Sequence, residues 1–516
     1  MADSPVSAFA SVQGYDGLAP PPPLTLLMQG TPQSRACDQR APRHDHGVGR
    51  RVMTTASVVA LCFFSVCGGA IGSESIFASG GPAMGLIALA IIPFAWSIPI
   101  ALITAELSTT YPENSGFTVW VHQAFGPFWA FQEGFLSWLS CAVDNALYPA
   151  LAVTCISKYA PALADTNVGT WFLKAAFAIL FGLPNLLGVE MVGRGMVVLT
   201  VVVTIPFMIF FVWGFAATND WSALGQFRHT DTNSTDTTSL TLTGAIDVQW
   251  SLLISTTFWS FNGFSYCSTF AGEVANPSVT YPRALLITVV FVELTYLLPL
   301  MAAAAYNDPL WSTWTEISFS DIALSLGGDG FLTLITIATL ASNWGQYSSE
   351  MFSTTFQLTG MAESGLAPAL FASRAKANNV PYYSVGMSFL IIFILVGMDF
   401  TQVLAMTNML SSIGQVLLIL AAIKLRLSQP DVHRPYRVPG GVGALVAMSI
   451  MPITICGYFI VNTFTDNDHT PLYFAMASIA IGIGYALAMK ITPKQFVDPK
   501  KMILVVDADN DVDLSA

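Results

Sequence analysis

From residue 50 onward the chain is a succession of long apolar runs joined by short polar stretches. About 20 apolar residues suffice for a helix to cross the hydrocarbon core of a bilayer. The runs at 53–78, 82–107, 127–158, 169–187, 192–217, 247–271, 283–306, 330–359, 382–398, 401–424, 443–463 and 471–489 meet this requirement. They predict an all-α polytopic membrane protein of about twelve transmembrane helices. Residues 1–50 are polar and rich in Pro, including Pro20 to Pro23. A disordered cytosolic N-terminus without a signal peptide is expected there, with the membrane domain over 51–490 and a cytosolic tail over 491–516. In that tail Asp507, Asp509 and Asp511 have calcium-loop spacing, but Val512 stands where the loop needs Gly. A solvated acidic tail is the expectation.

Composition agrees with the pattern. Hydrophobic residues make up 53% of the chain and charged residues 10%, against about 25% charged in soluble domains. With 35 Phe and 12 Trp the chain is no disordered protein, and a formal net charge of −12 argues against a nucleic-acid binder. No C-x-x-C pair, His cluster, Ser-His-Asp order or G-x-S-x-G turn is present. Neither a metal, a cofactor nor enzymatic chemistry is expected.

An even number of spans puts both termini on one side. With the termini inside, every Lys and Arg except Lys158, Lys174 and Arg228 falls on the cytoplasmic side, as the positive-inside rule requires. The sequon at Asn233 lies in the longest predicted outer loop, 218–246, and is a glycosylation candidate.

Two spans are unsuited to continuous helix. The first contains Gly68, Gly69 and Gly72, followed by Glu74; the sixth contains Phe261-Asn262-Gly263-Phe264-Ser265-Tyr266. They lie five spans apart, so two sets of five would run in opposite directions: repeat one over about 53–217, repeat two over about 247–424, and two extra helices over about 443–489. Paired interruptions in inverted repeats mark transport sites in membrane carriers. Close packing through small residues is the other use of such glycines.

Acids lie inside the spans at Glu74, Glu133, Asp144, Glu273, Glu293 and Glu350, with no Lys or Arg deep in any span. A charge at a helix centre costs about 2.5–3.5 kcal/mol on insertion scales. Unpaired carboxylates suit a visiting cation: a proton, a metal ion or an organic amine. Glu74 opens the half-helix after the first break, where it either complements the helix N-terminus or meets a substrate amine. Asp144 precedes Asn145, and Tyr148 follows four residues on, on the same helical face. A carboxylate beside an aromatic hydroxyl can hold an ammonium. Glu74, Glu293 and Glu350 are candidates for proton coupling. Tyr266 and Trp259 flank the second break, while Glu106 and Glu133 lie toward the inner face as gate or loop anchors.

Several stretches carry a resemblance. Gly80-Gly81-Pro82, Trp96-Ser97-Ile98-Pro99, Pro112-Glu113-Asn114-Ser115-Gly116 and Gly126-Pro127-Phe128-Trp129 resemble the polyamine uptake transporters. So do Asp144-Asn145-Ala146-Leu147-Tyr148-Pro149, Ala271-Gly272-Glu273-Val274-Ala275-Asn276-Pro277 and Arg434-Pro435-Tyr436-Arg437. That family is related to the L-type amino acid transporters of the amino acid–polyamine–organocation superfamily. The resemblance implies a LeuT-like fold of five plus five helices in inverted repeat with two more. It also implies alternating access and proton-coupled uptake of putrescine, cadaverine or spermidine across the plasma membrane. Carried over by position, Gly68, Gly69, Gly72 and Glu74 fall on the first unwound stretch, and Phe261, Asn262 and Ser265 on the second. Ala70-Ile71 departs from the family's Pro-Phe after the paired glycines, and Ser265 replaces a carboxylate of plant members. Span five lacks the lysine that some of the superfamily use as a resident cation.

The expected partners are therefore a small organic cation, protons and the lipid bilayer. The sequence leaves oligomeric state and an internal membrane open. The competing functions are an amino-acid carrier of the same fold and a nutrient sensor that binds without transporting.

Overall fold

Lipid offers no hydrogen-bond partner to a free N–H or C=O, so an apolar segment that enters it folds as a helix. The computed structural model describes residues 51–157, 167–218, 221–230, 242–375, 378–398, 400–465, 468–489 and 491. The segment 1–50, the sequon Asn233 and the acidic tail lie outside the described residues. Among those described, helices form all the regular structure, beside three isolated backbone bridges.

In chain order the principal helices are α1 (Thr55–Val66), α2 (Glu74–Gly80), α3 (Pro82–Thr110), α4 (Phe117–Phe125), α5 (Pro127–Ser157), α6 (Asn167–Leu186) and α7 (Val189–Ala217). They continue with α8 (Trp250–Phe261), α9 (Pro277–Tyr306), α10 (Ser318–Glu363), α11 (Tyr382–Leu395), α12 (Phe400–Ser428), α13 (Gly441–Thr465) and α14 (Thr470–Ala488). Nine helices among the described residues are long and apolar enough to cross a membrane: α3, α5, α6, α7, α9, α10, α12, α13 and α14. Predicted span nine is the shorter α11, of 14 residues.

Predicted spans one and six are broken. α1 stops at Val66 and α2 starts at Glu74. Between them Gly68, Gly69 and Gly72 have φ of 62°, 147° and 85°, conformations that residues with a Cβ rarely adopt. α8 stops at Phe261; the chain then extends through Asn262 and resumes as short 3₁₀ turns at Tyr266–Thr269 and Ala271–Glu273. The second half of span six is thus not α-helical. Gly263, at φ 125°, passes so close to the Ser65 carbonyl that no Cβ fits. The two interruptions therefore touch each other.

Burial separates core from periphery. α5 packs on α10 and α12, and 83% of its most apolar window is buried, against 28% for α7, α13 and α14. On α7 the exposed residues Val198, Val201, Val202, Ile205, Met208, Ile209 and Val212 form one stripe. Facing water it would be a large apolar liability; facing lipid it is at home.

Polar contacts close both ends. At one end, Arg228 N donates to Gly80 O (3.0 Å) and Ala83 N to Gln226 O (3.0 Å), so the segment 221–230 folds over the α2–α3 junction. At the other, Arg374 Nη1 donates to Glu273 Oε1 (3.0 Å), and its Nη2 to Glu363 Oε1 (2.9 Å). Asn114 Nδ2 reaches the same Glu273 oxygen at 3.2 Å. Beside them Glu106, near the end of α3, accepts from Arg426 and from Val438 N, with Arg434 Nε at 3.2 Å. Arg51, Arg374, Arg426 and Arg434 mark this as the basic end.

Candidate functional site

The site forms where α5 loses its regular winding. Asp144 ends the first stretch of α5, Asn145 and Ala146 make a turn, and Leu147 resumes the helix. Asn145 Nδ2 donates back to Cys141 O at 3.2 Å. This turn leaves Asp144 and Tyr148 side by side: Tyr148 Oη lies 3.1 Å from Asp144 Oδ2. α10 contributes Glu350, whose Oε1 lies 2.5 Å from the same hydroxyl. α8 contributes Trp259, whose indole N–H donates to Asp144 Oδ1 at 3.0 Å.

Asp144 is 7% and Glu350 2% exposed. Among the described residues neither forms an ion pair with Lys, Arg or His. Two carboxyl groups thus share one phenol deep inside a membrane protein without a resident cation. They line a cavity with Tyr266 and Asn262 from the second break and Ser65 at the end of α1. Its volume is about 10 Å³, room for about one water. A larger ligand needs the walls to part.

The breaks back the cavity walls, and the second reaches them through Asn262 and Tyr266. Gln346 Nε2, one turn before Glu350, donates to Cys67 O at 2.7 Å, and its side chain lies against Gly68. Gly69 faces Ser342, and Gly72 faces the Trp259 ring. Asn262 Nδ2 donates to Ser411 Oγ (2.7 Å), and Gln415 Nε2 to Ser265 Oγ (2.9 Å), so α12 holds the second break. Phe261 packs against Tyr296 with centroids 5.2 Å apart.

Of the site residues named from the sequence, Gly68, Gly69, Gly72, Asn145, Phe261 and Ser265 stand behind the cavity lining, and two acids lie elsewhere. Glu74 is fully buried; its Oε2 accepts from Gly72 N (2.7 Å) and its Oε1 from Phe319 N (3.3 Å). It ties the unwound strand to the first turn of α10 and does not line the cavity. Glu293 is half-buried on α9, outside the cavity, and its Oε2 has no hydrogen-bond partner among the described residues. The sequence offers Glu74 and Asp144 each as an ammonium ligand; the structure sets Asp144 beside Glu350, with Glu74 outside the cavity.

Gln346, Ser65, Tyr296 and Thr407 also line the cavity and were not anticipated. The spacing Gln346–Glu350 and the run Thr407, Ser411, Gln415 were visible as four-residue polar repeats.

A bundle of membrane helices with two touching breaks beside buried acids is the geometry of a carrier. The amino acid permease family matches residues 56–486. The chain belongs to that family. It is accordingly a transporter rather than an enzyme. Among curated relatives, the permease is 36% identical over 445 residues to polyamine transporter PUT1 of Oryza sativa subsp. japonica, covering 86% of this chain and 80% of the relative. It is 34% identical over 447 residues to polyamine transporter RMV1 of Arabidopsis thaliana, covering 86% of each.

Proposed function

We propose that this permease imports polyamines of the putrescine, cadaverine and spermidine class by proton symport with alternating access. The observation that carries the reading is the Asp144–Tyr148–Glu350 cluster. Tyr148 has one hydroxyl proton, and two carboxyl oxygens lie within hydrogen-bond distance of its oxygen. The hydroxyl can donate to one of them only. The second contact is favourable when that carboxyl carries a proton, or when a cation sits between the two. An ammonium and a proton are thus alternative occupants of one anionic site. Trp259, Tyr266 and Tyr148 supply aromatic surface for a methylene stem and cation–π contact with its ends. The relatives named polyamine transporters add support.

An amino-acid carrier is less well supported. A free half-helix N-terminus is where such a carrier would take an α-carboxylate. Here Glu74 already occupies the Gly72 amide.

Under this reading the basic end is cytoplasmic, both termini lie there, and the plasma membrane is the expected location. Uptake of labelled putrescine into transport-deficient cells, at external pH 5.5 and 8, tests it. Saturable uptake that is faster at acid pH, abolished by an uncoupler and competed by spermidine is expected. Accumulation of leucine or arginine in its place would assign an amino-acid carrier, and tight binding without accumulation a sensor. Surface labelling separates the plasma membrane from an internal one.

A further inference from the structure

α5 carries a second buried acid. Glu133 is 1% exposed. It stands eleven residues before Asp144, about 16 Å along the helix axis at about 1.5 Å per residue, on the side of the basic end. Its contacts are hydroxyls: Ser137 Oγ donates to Oε1 at 2.8 Å and Thr118 Oγ1 to Oε2 at 3.2 Å. Among the described residues Glu133 forms no ion pair with Lys, Arg or His, and an ionisable group so placed inside a membrane protein is by default a candidate for proton transfer.

The space between Glu133 and the central cluster is polar. Positions 133, 137, 140 and 144 follow one another at helical spacing on α5. Ser140 Oγ donates to Thr407 O at 3.0 Å, and Gly414 lies against Ser137 and Glu133. α12 thus meets the stripe with Thr407 and Gly414, while its Ser411 and Gln415 hold the second break alongside. Thr407 Oγ1 and Gln415 Oε1 are buried with no hydrogen-bond partner among the described residues. Unpartnered buried groups in a polar seam are where bridging waters sit. At Gly414 a Cβ would collide with Ser137 Oγ, so the glycine lets the α12 backbone close on the Ser137 hydroxyl of the seam.

We infer that Glu133 is the inward proton station of this carrier, a positioning and relay residue that receives the proton released by the Asp144–Glu350 pair and passes it to the basic end. This rests on the proton-symport reading above. A proton leaves a central carboxyl, travels along the hydroxyls and bridging waters of the α5–α12 seam, and joins the Glu133 carboxylate. Glu133 then releases it to water at the basic end and is again an anion. One proton moves and no bond other than O–H changes.

Titratable groups on the elements around Glu133 are few. α4 carries His122, one turn beyond Thr118; α12 carries Lys424 and Arg426, ten and twelve residues beyond Gly414. α10 carries Glu350 and Glu363 on either side of Met361, which lies against Gly134. α11 carries Tyr382 and Tyr383, and α14 brings Tyr485 against Phe131 at 4.9 Å. Lys424 is engaged with the Phe125 ring at 4.5 Å and Arg426 with Glu106.

The test compares Glu133→Gln and Glu133→Asp with the unaltered full chain in transport-deficient cells and in proteoliposomes. Two readouts are needed. Acid-driven putrescine accumulation requires net proton release inside; putrescine exchange at equal pH does not. The expected result for Glu133→Gln is at least a tenfold loss of accumulation, with exchange within threefold of the unaltered protein. Glu133→Asp is expected to restore accumulation with a displaced pH profile. Normal accumulation in Glu133→Gln overturns the inference. So does an equal loss of accumulation and exchange at normal surface abundance, which marks a structural role. If unaltered protein accumulates putrescine without regard to pH or uncoupler, the symport reading fails first and the relay falls with it.

Discussion

The hydroxyl of Tyr148 lies 2.5 Å from Oε1 of Glu350, across 202 residues of sequence. That contact brings the turn in α5 and the middle of α10 to one point. Removing the hydroxyl in Tyr148→Phe leaves two buried carboxyls without their common donor. A hydrogen bond to a charged group is worth about 1.5–3 kcal/mol, so the KM for putrescine should rise about 10- to 100-fold at normal surface abundance. Uptake kinetics measure this. A KM within twofold of the unaltered protein would remove the cluster from the substrate site.

Glu350→Gln and Asp144→Asn should divide the two roles of the pair. An amide cannot take up and release a proton, so Glu350→Gln should flatten the rise in uptake from pH 8 to 5.5. Asp144 is already held by the Trp259 indole and has the more open position. Asp144→Asn should therefore act mainly on KM. Both profiles come from the same uptake assay across pH, and identical profiles for the two variants would contradict the division.

Glu74 calls for a different measurement. Its two oxygens take up the backbone N–H groups of Gly72 and Phe319. In Glu74→Ala both donors are buried without a partner, at about 1–3 kcal/mol each. The thermal transition of the detergent-solubilised permease should fall by several degrees, and less for Glu74→Gln, which keeps one acceptor oxygen. An unchanged transition in Glu74→Ala would show that the carboxylate is not holding the break.

These residues also mark what the sequence made legible. The breaks were readable because three glycines in five residues and an Asn-Gly pair are poor helix in any context. Asp144 and Tyr148 were readable because a four-residue spacing fixes a shared face. The partner of Asp144 was not, because Glu350 arrives from α10 through tertiary packing. Several spans carried acids with equal claim. Glu74 could be read as a dipole partner or a ligand group, and what decided was the approach of Phe319, again a distant residue. Span six was legible as broken, but not as ending in 3₁₀ turns, since Tyr266 to Glu273 are held by contacts with α1, α4 and α10.

Gly263 offers a test of the fold itself. A Cβ there would collide with the Ser65 carbonyl, and φ of 125° is unfavourable to any other residue. Neither backbone segment can withdraw, because Asn262 is tied to Ser411 and Ser65 pairs with Ser349 at 2.9 Å. Gly263→Ala should sharply reduce the folded, surface-delivered protein, seen by fluorescence-detected size exclusion. Gly195→Ala, at a position with open space, is the control and should leave the elution profile unchanged.

Arg374 and Glu273 give a prediction with two stages. Their side chains are 8% and 1% exposed, and the pair joins the end of span six to the segment after α10. Breaking a buried pair by removing one partner costs about 3–5 kcal/mol, because the other charge stays buried alone, whereas removing both is much milder. Arg374→Ala should therefore lower the thermal transition strongly, although Glu363 also loses its partner. Adding Glu273→Gln should recover part of the loss, since Asn114 and Gly272 can still hydrogen-bond each other across the same loop. The sign of the coupling in this double-mutant cycle decides the matter. If the two losses simply add, the basic end is closed by packing, and the ion pair contributes nothing to holding it shut.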